Sequence, residues 1–512
     1  MITYTNEIYL VFFLPLTLLA YEICPKRHRG KVLIAASYVF FYLISKWLFL
    51  YLFGVSVFIY LAARLLERAR RSGKRYGKII LIFSVLLPVG LLLALKYTNF
   101  IGENVTRLGN LLSGGTAVFQ PWSILLPIGI SFYTLEAVGY LLDVWWGRIP
   151  AEKSLEKVLL FLSFFPKLME GPILRWQDTE AILFSNESLK LENLETGAIR
   201  IFWGLLKKIM IADRLAIVVN NLFANYASHQ GLVTVLAAVL YTTQLYMEFS
   251  GVMDICIGSA KLFGIVLPEN FRQPFFAKNA SEFWQRWHIS LGAWFKNYIF
   301  YPMSTSSLVK KWTKTGRKKF GKGLTRAVTS ALCLFPVWMA NGIWHGAKWS
   351  YIFYGLYYFC IILFETVTEP YWKKGMEKLH INMAAPWYRA GQLVKLLCIV
   401  FTGEMFFRAE NLHVGVHMFR SIFTGSGMAE LKGHLLLNVG IDIDDWNVII
   451  AGLIVVVLYD ILKELNVFSL EKLRAMKLPV RWSAYYALIF SVIIFGAYGE
   501  GYQAIDLIYA GF

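Results

Sequence analysis

Long apolar runs recur along almost the whole chain, and they limit the possible folds more than any other feature. They lie near 7–23, 32–63, 79–96, 122–145, 157–173, 198–224, 231–265, 327–344, 348–368, 390–407, 446–464 and 482–499. A helix crosses the hydrocarbon core of a bilayer with about 20 apolar residues, at roughly 1.5 Å of rise each. Only 16% of the 512 residues are charged, against about a quarter in soluble domains, and mean hydropathy is +0.52. The expected fold class is therefore all-α: a polytopic transmembrane helical protein with about 11–13 spans plus re-entrant or interfacial helices. Before the first apolar run stands Glu7, with no basic n-region, so residues 1–20 are expected to stay as a first span and not to be cleaved as a signal peptide.

Two runs do not fit a single clean span. The stretch 32–63 is long for one span and short for two, with Ser45 and Lys46 at its middle, so a short hairpin or two half-spans is expected. The stretch 232–266 has the same difficulty, being interrupted by Glu248 and Asp254. Residues 271–301 are too polar to span and too aromatic for a free loop. They read as an interfacial or re-entrant helical segment. Hydrophilic connectors are expected at 102–119 and 425–445, the second with an acidic cluster at Asp442, Asp444 and Asp445.

The net charge of +18 does not point to nucleic acid, because the cations sit in short links between apolar runs. Two links stand out. One, 64–78, carries Arg68, Arg70, Arg71, Lys74 and Arg75. The other, 310–326, carries Lys311, Lys314, Arg317, Lys318, Lys319 and Lys322. Both are expected on the cytoplasmic side by the positive-inside rule. Five dispersed cysteines, Cys24, Cys256, Cys333, Cys360 and Cys398, show no metal-ligand spacing and are expected as small buried hydrophobes. No metal site is expected.

Two tryptophan-rich segments carry the candidate chemistry. Ser281-Glu-Phe-Trp284-Gln-Arg286-Trp287-His288 and Asn341-Gly-Ile-Trp344-His345-Gly-Ala-Lys-Trp349 each place a histidine among indoles beside apolar runs. Ionisable groups at or inside a bilayer are costly, which favours a functional reading. Gly342 and Gly346 flank His345 and permit a sharp turn. The imidazole there is either a base for a hydroxyl-bearing acceptor or a structural histidine at a helix end. On a continuous helix Trp284 and His288 share a face, as do Trp287 and Leu291. Glu248 and Asp254 are expected as structural carboxylates held by cations such as Arg272 or Arg286, and Glu170 as a partner of Lys167. GxSxG, Walker and GxGxxG patterns are absent from the sequence.

Taken together, Phe283-Trp-Gln-Arg-Trp-His288-Ile-Ser-Leu, Trp294-Phe-Lys-Asn-Tyr298 and Asn341-Gly-Ile-Trp-His345-Gly resemble the membrane-bound O-acyltransferase superfamily. Matching stretches at 128–136, 164–173, 244–254 and 267–271 extend the resemblance, and the ending from Phe495 through Tyr498, Glu500, Asp506 and Tyr509 is similar to the bacterial branch that includes the membrane subunit of alginate O-acetylation. The resemblance implies a single integral membrane domain over 1–512, with N-terminal spans in 1–120, a catalytic core in 121–410 and C-terminal spans in 411–512. It makes His345 the catalytic residue and assigns the upstream polar position to His288. Trp284, Trp287, Arg286, Asn341, Trp344 and Trp349 then shape the substrate pocket.

The expected activity is transfer of an acyl group, acetyl first, from a cytoplasmic thioester toward hydroxyls of a cell-surface polysaccharide. Acetyl-CoA or a phosphopantetheinyl carrier protein would be the co-substrate, and no cofactor stays bound. An extracytoplasmic acyltransferase is the expected protein partner, in a multi-pass protein of the bacterial cytoplasmic membrane. D-alanyl transfer from a carrier protein to teichoic acid is the nearest rival. A transporter using Glu248, Asp254 and His345 as a proton relay is a rival of another class, and a catalytically silent assembly subunit is a third.

Overall fold

The computed structural model describes residues 3–73, 76–433 and 435–498. Regular structure there is helical; the sole extended pairing among the described residues is an antiparallel bridge between Phe271 and Trp287. Among the described residues, eight helices, from Lys26–Arg71 to Leu478–Phe495, are long and apolar enough to cross a membrane. The all-α polytopic architecture is present, with fewer full-length spans than expected.

Four of the expected runs account for the difference. Ile8–Ile23 is apolar but short. Ile130–Trp146 has 17 residues and Leu155–Ser163 has nine, and both are largely buried. The run 198–224 lies in consecutive helices Leu191–Leu205, Leu206–Ala212 and Asp213–Ala224, where Arg200, Lys207, Lys208, Asp213 and Arg214 make it too charged to face lipid.

Other expectations are met or corrected locally. The run 32–63 breaks at its centre as anticipated: Arg29–Ser45 ends where Lys46 takes φ +50°, and Phe49–Arg71 follows. The run 231–265 does not break; Leu232–Leu262 is one helix of 31 residues. The connector expected to start at 102 is helical as far as Ser113, within Gly77–Ser113, and the pair Glu103–Arg107 lies on its exposed side. The acidic cluster is a helix start: Asp442 accepts a hydrogen bond from Asp445 N–H and caps Ile443–Glu464. Only Cys256 and Cys333 are buried, while Cys360 and Cys398 are exposed on spans, where apolar surroundings make an exposed thiol inexpensive.

Residues 3–201 and 252–268 form one compact unit. An aromatic cluster of Tyr4, Tyr9, Phe13, Phe40 and Phe165 fills its centre. Tyr4 Oη donates to Phe165 O at 2.6 Å and accepts from Met169 N. Lys167 does not pair with Glu170. It pairs with Glu136, which also accepts from Leu174 N at 2.8 Å. In this unit Asp254 is held by Arg200 at 2.9 Å, not by Arg272 or Arg286.

Residues 202–251 and 269–498 form the second unit, which contains both candidate histidines. Glu248 is held here by Lys208, which also bonds Asp213 at 2.6 Å. Glu248 and Asp254 each meet a cation without interrupting Leu232–Leu262, so both are compatible with its continuity. The helices Gly321–His345 and Trp349–Lys378 pack closely because Gly342 and Gly355 face one another: a Cβ on Gly342 would lie 2.5 Å from Tyr351 O, and one on Gly355 2.4 Å from Trp338 O.

Candidate active site

The segment 271–301 is a chain of short helices, in keeping with its expected non-spanning character. Ala280–Arg286 begins where Asn279 accepts from Glu282 N–H, and it ends one residue before Trp287. His288 then adopts φ +48° and ψ +52°, a left-handed conformation uncommon for a residue with a side chain. The helix restarts at Ile289. Trp284 and His288 therefore do not share a helical face. The reversal is held by pairing of 270–272 with 286–289: Arg272 N donates to Arg286 O at 2.9 Å and Ile289 N to Asn270 O at 3.0 Å.

This pairing places the Asn270 amide on the His288 ring. Asn270 Oδ1 accepts from Ser290 N at 2.9 Å, which turns its NH₂ toward His288 Nδ1 at 3.2 Å. Asn270 Oδ1 also lies 3.4 Å from the same Nδ1, so the contact admits either tautomer; where Nδ1 accepts from the amide, the ring proton is on Nε2. The ring is 2% exposed, and desolvation by burial pushes its pKa down to about 3, keeping it neutral. Phe249 packs edge-on against it at 4.8 Å between centroids.

His345 is the last residue of Gly321–His345, and Gly346 follows with φ +154° and ψ +179°, a conformation essentially confined to glycine. The imidazole is 5% exposed. Trp344, Phe407 and Tyr354 wall it at 5.0, 4.9 and 5.9 Å between centroids. Trp344 is shared, for its indole also lies 5.8 Å from the His288 ring. The two histidines, 57 positions apart in sequence, thus flank one tryptophan.

The other candidates separate into two groups. Asn341 is buried on the same helix, with its Oδ1 lacking a hydrogen-bond partner among the described residues, and Trp284 packs on Trp338 and Tyr358 with a buried Nε1 in the same condition. Both remain beside the His345 end of the cluster. Arg286 is committed elsewhere, to Glu282 at 2.8 Å and Glu464 at 2.9 Å. Trp287 stacks on Phe283 at 5.5 Å, and Trp349 is 50% exposed. Asn270, Tyr354, Phe407 and the buried carboxyl of Glu404 were not singled out from sequence; only Asn270 lay within a quoted motif.

Comparison with known proteins decides the class. The family model of the membrane-bound O-acyltransferase family matches residues 11–317, a span that includes His288 and stops before His345. The chain belongs to the membrane-bound O-acyltransferase family. It is 32% identical over 427 residues to the probable alginate O-acetylase of Pseudomonas syringae pv. tomato, covering 82% of this chain and 75% of that protein. To the peptidoglycan O-acetyltransferase of Helicobacter pylori it is 26% identical over 464 residues, covering 84% and 80%. To the teichoic acid D-alanyltransferase of Bacillus subtilis it is 30% identical over 295 residues, covering 55% and 67%. As a member of this family the chain is a membrane O-acyltransferase, and the transporter reading is set aside. The resemblance expected at Glu500, Asp506 and Tyr509 lies outside the described residues.

Proposed function

We propose that this O-acyltransferase moves an acetyl group from a cytoplasmic thioester donor toward hydroxyls of a cell-surface polysaccharide, with His345 as general base. The observation that carries the reading is the place of His345, buried at a helix end and walled by Trp344, Tyr354 and Phe407. A hydroxyl brought there gives its proton to the imidazole where water is scarce, so hydrolysis of the thioester does not compete. The hydroxyl oxygen attacks the thioester carbonyl. As the C–O bond forms and the C–S bond breaks, the imidazolium returns its proton to the departing thiolate. His288, donating from Nε2, stabilises the oxyanion formed on the way.

Acetyl-CoA or a phosphopantetheinyl carrier protein supplies the acyl group, and an extracytoplasmic acyltransferase partner receives it where transfer to the polymer is indirect. The site belongs to a bacterial cytoplasmic membrane, with the catalytic core in 121–410. Acetyl is preferred because alignment with the alginate and peptidoglycan O-acetylases runs over 82% and 84% of the chain, against 55% for the D-alanyltransferase. The test is mild-base release of esters from envelope and secreted polysaccharide, comparing wild type with His345→Ala. Acetate should fall by at least about 100-fold in the variant while D-alanine is unchanged. Loss of D-alanine alone moves the protein to the teichoic-acid reaction. No change in either, at normal protein level, removes His345 from the mechanism.

A further inference from the structure

The cluster around His345 contains a carboxyl group that the acyl-transfer step does not use. Glu404 lies within the span Pro386–Arg408 and is 1% exposed. Its Oε1 accepts from Tyr354 Oη at 2.8 Å, while its Oε2 is buried without a hydrogen-bond partner among the described residues. No ion pair among the described residues includes it, in contrast to Glu248 and Asp254.

Two further buried polar atoms lack hydrogen-bond partners among the described residues, and they belong to side chains packed on this pair: Tyr358 Oη and Trp284 Nε1. Tyr358 lies 5.0 Å from Tyr354 and 4.8 Å from Trp284 between ring centroids. Its hydroxyl sits against the backbone that carries Glu404, because a Cβ on Gly403 would be 2.7 Å from Tyr358 Oη. Tyr354 in turn meets His345 edge-on, and both rings touch Phe407. A buried polar atom without a partner is costly, and three in one cluster imply that something else completes their hydrogen bonds.

The chemistry of the three atoms narrows what that is. An indole N–H donates only, a phenol donates and accepts, and a carboxyl oxygen accepts or, if protonated, donates. No cation is among them, so phosphate and carboxylate ligands are disfavoured. A small acyl group offers one carbonyl oxygen and leaves the rest unmet. Vicinal hydroxyls both donate and accept at short spacing, which suits the set.

We propose that Glu404, Tyr358 and Trp284 form a subsite for hydroxyl groups of the sugar acceptor beside His345, with Tyr354 as the positioning residue that holds Glu404. This rests on the acyl-transfer reading above.

The test uses membranes containing the full chain and whatever partners accompany it, labelled acetyl-CoA, and de-esterified polysaccharide from the same cells. Glu404→Leu and Tyr358→Phe should each raise the polysaccharide KM at least about fivefold relative to the acetyl-CoA KM, as loss of one or two hydrogen bonds does. Glu404→Gln, which keeps a donor and an acceptor, should raise it less than Glu404→Leu. A rise confined to the acetyl-CoA KM overturns the subsite, as does Glu404→Gln matching Glu404→Leu, which would mean that the charge and not the hydrogen bonding is needed. Unaltered KM values in Glu404→Leu and Tyr358→Phe, with transfer lost in His345→Ala, also sink the subsite while leaving acyl transfer intact. If label moves only from a D-alanyl donor, the acetyl assignment falls and the polysaccharide KM comparison still reads the subsite. The acetyl-CoA KM and membrane protein level of each variant report whether it has folded.

Discussion

His288 shows how backbone conformation sets the surroundings of a side chain. Its left-handed conformation turns the ring onto Asn270, whose amide lies 3.2 Å from Nδ1. Burial adds a second consequence, in stability. In the unfolded chain the ring takes a proton near its ordinary pKa of 6.5, whereas in the folded chain it resists one until about pH 3. Below pH 6.5 the unfolded state therefore binds more protons, and stability falls as pH falls through that window, by about 2 kcal/mol between pH 6.5 and 5. His288→Gln lacks this contribution. Thermal midpoints in detergent at the two pH values should differ less for the variant than for the wild type, and an equal difference would show that His288 is protonated in the folded chain. At the same scale, Arg286 was legible as an important cation, but its commitment to Glu282 and Glu464 makes it a brace for the 271–301 segment.

At the scale of elements, the helices Leu206–Ala212 and Leu232–Leu262 are tied by Lys208, which serves Glu248 and Asp213 together. Removing Lys208 strands the buried carboxylate of Glu248 and the partly buried one of Asp213, whereas removing Glu248 leaves Lys208 still bonded to Asp213. Lys208→Ala should therefore destabilise by about 3–5 kcal/mol and Glu248→Ala by less; chemical denaturation of the two purified variants gives the order, and the reverse order contradicts this account. The basic link 310–326 is a second element with a defined form. Ser307–Lys319 is a helix folded back on Gly321–His345, with Trp312 stacked on Phe320 and Thr313 Oγ1 3.3 Å from Thr329 Oγ1. Lys310, Lys314, Arg317 and Lys318 line a cleft of about 640 Å³ there. Uncompensated cations on a fixed helix raise the local concentration of a polyanionic donor. Replacing the five lysines and one arginine between 311 and 322 by glutamine should raise donor KM several-fold at low salt with little change in kcat; a KM that does not move would leave the link as a topology signal alone.

For the whole molecule, the distribution of cations bears on sidedness. If the links 64–78 and 310–326 face the cytoplasm, the thioester donor is consumed from that side. Inside-out membrane vesicles should therefore take label from acetyl-CoA, and sealed right-side-out vesicles should not until permeabilised. Equal labelling of both preparations would place the donor entrance elsewhere. Membership of the membrane-bound O-acyltransferase family fixes the reaction class of the chain as membrane O-acyl transfer.

Hydropathy alone determined that this is a helical membrane protein, because apolar runs of spanning length have few other stable homes. The Trp-His pairs at 288 and 345 stood out as candidates, because histidines amid indoles at a bilayer are expensive unless used, and the fold sets both rings against Trp344. The break at Ser45–Lys46 was legible for the same reason, as polar residues at the middle of an overlong run. The partners of the buried charges were not legible. Lys208 for Glu248, Arg200 for Asp254 and Glu136 for Lys167 lie 40, 54 and 31 positions away, and hydropathy carries no information about such distances. Nor did helical spacing foresee the reversal at His288, since backbone pairing of 270–272 with 286–289 overrides local helix preference. Tertiary structure alone brought Tyr354 to His345 and Glu404 to Tyr354, because packing between separate helices, unlike hydropathy, depends on which faces meet.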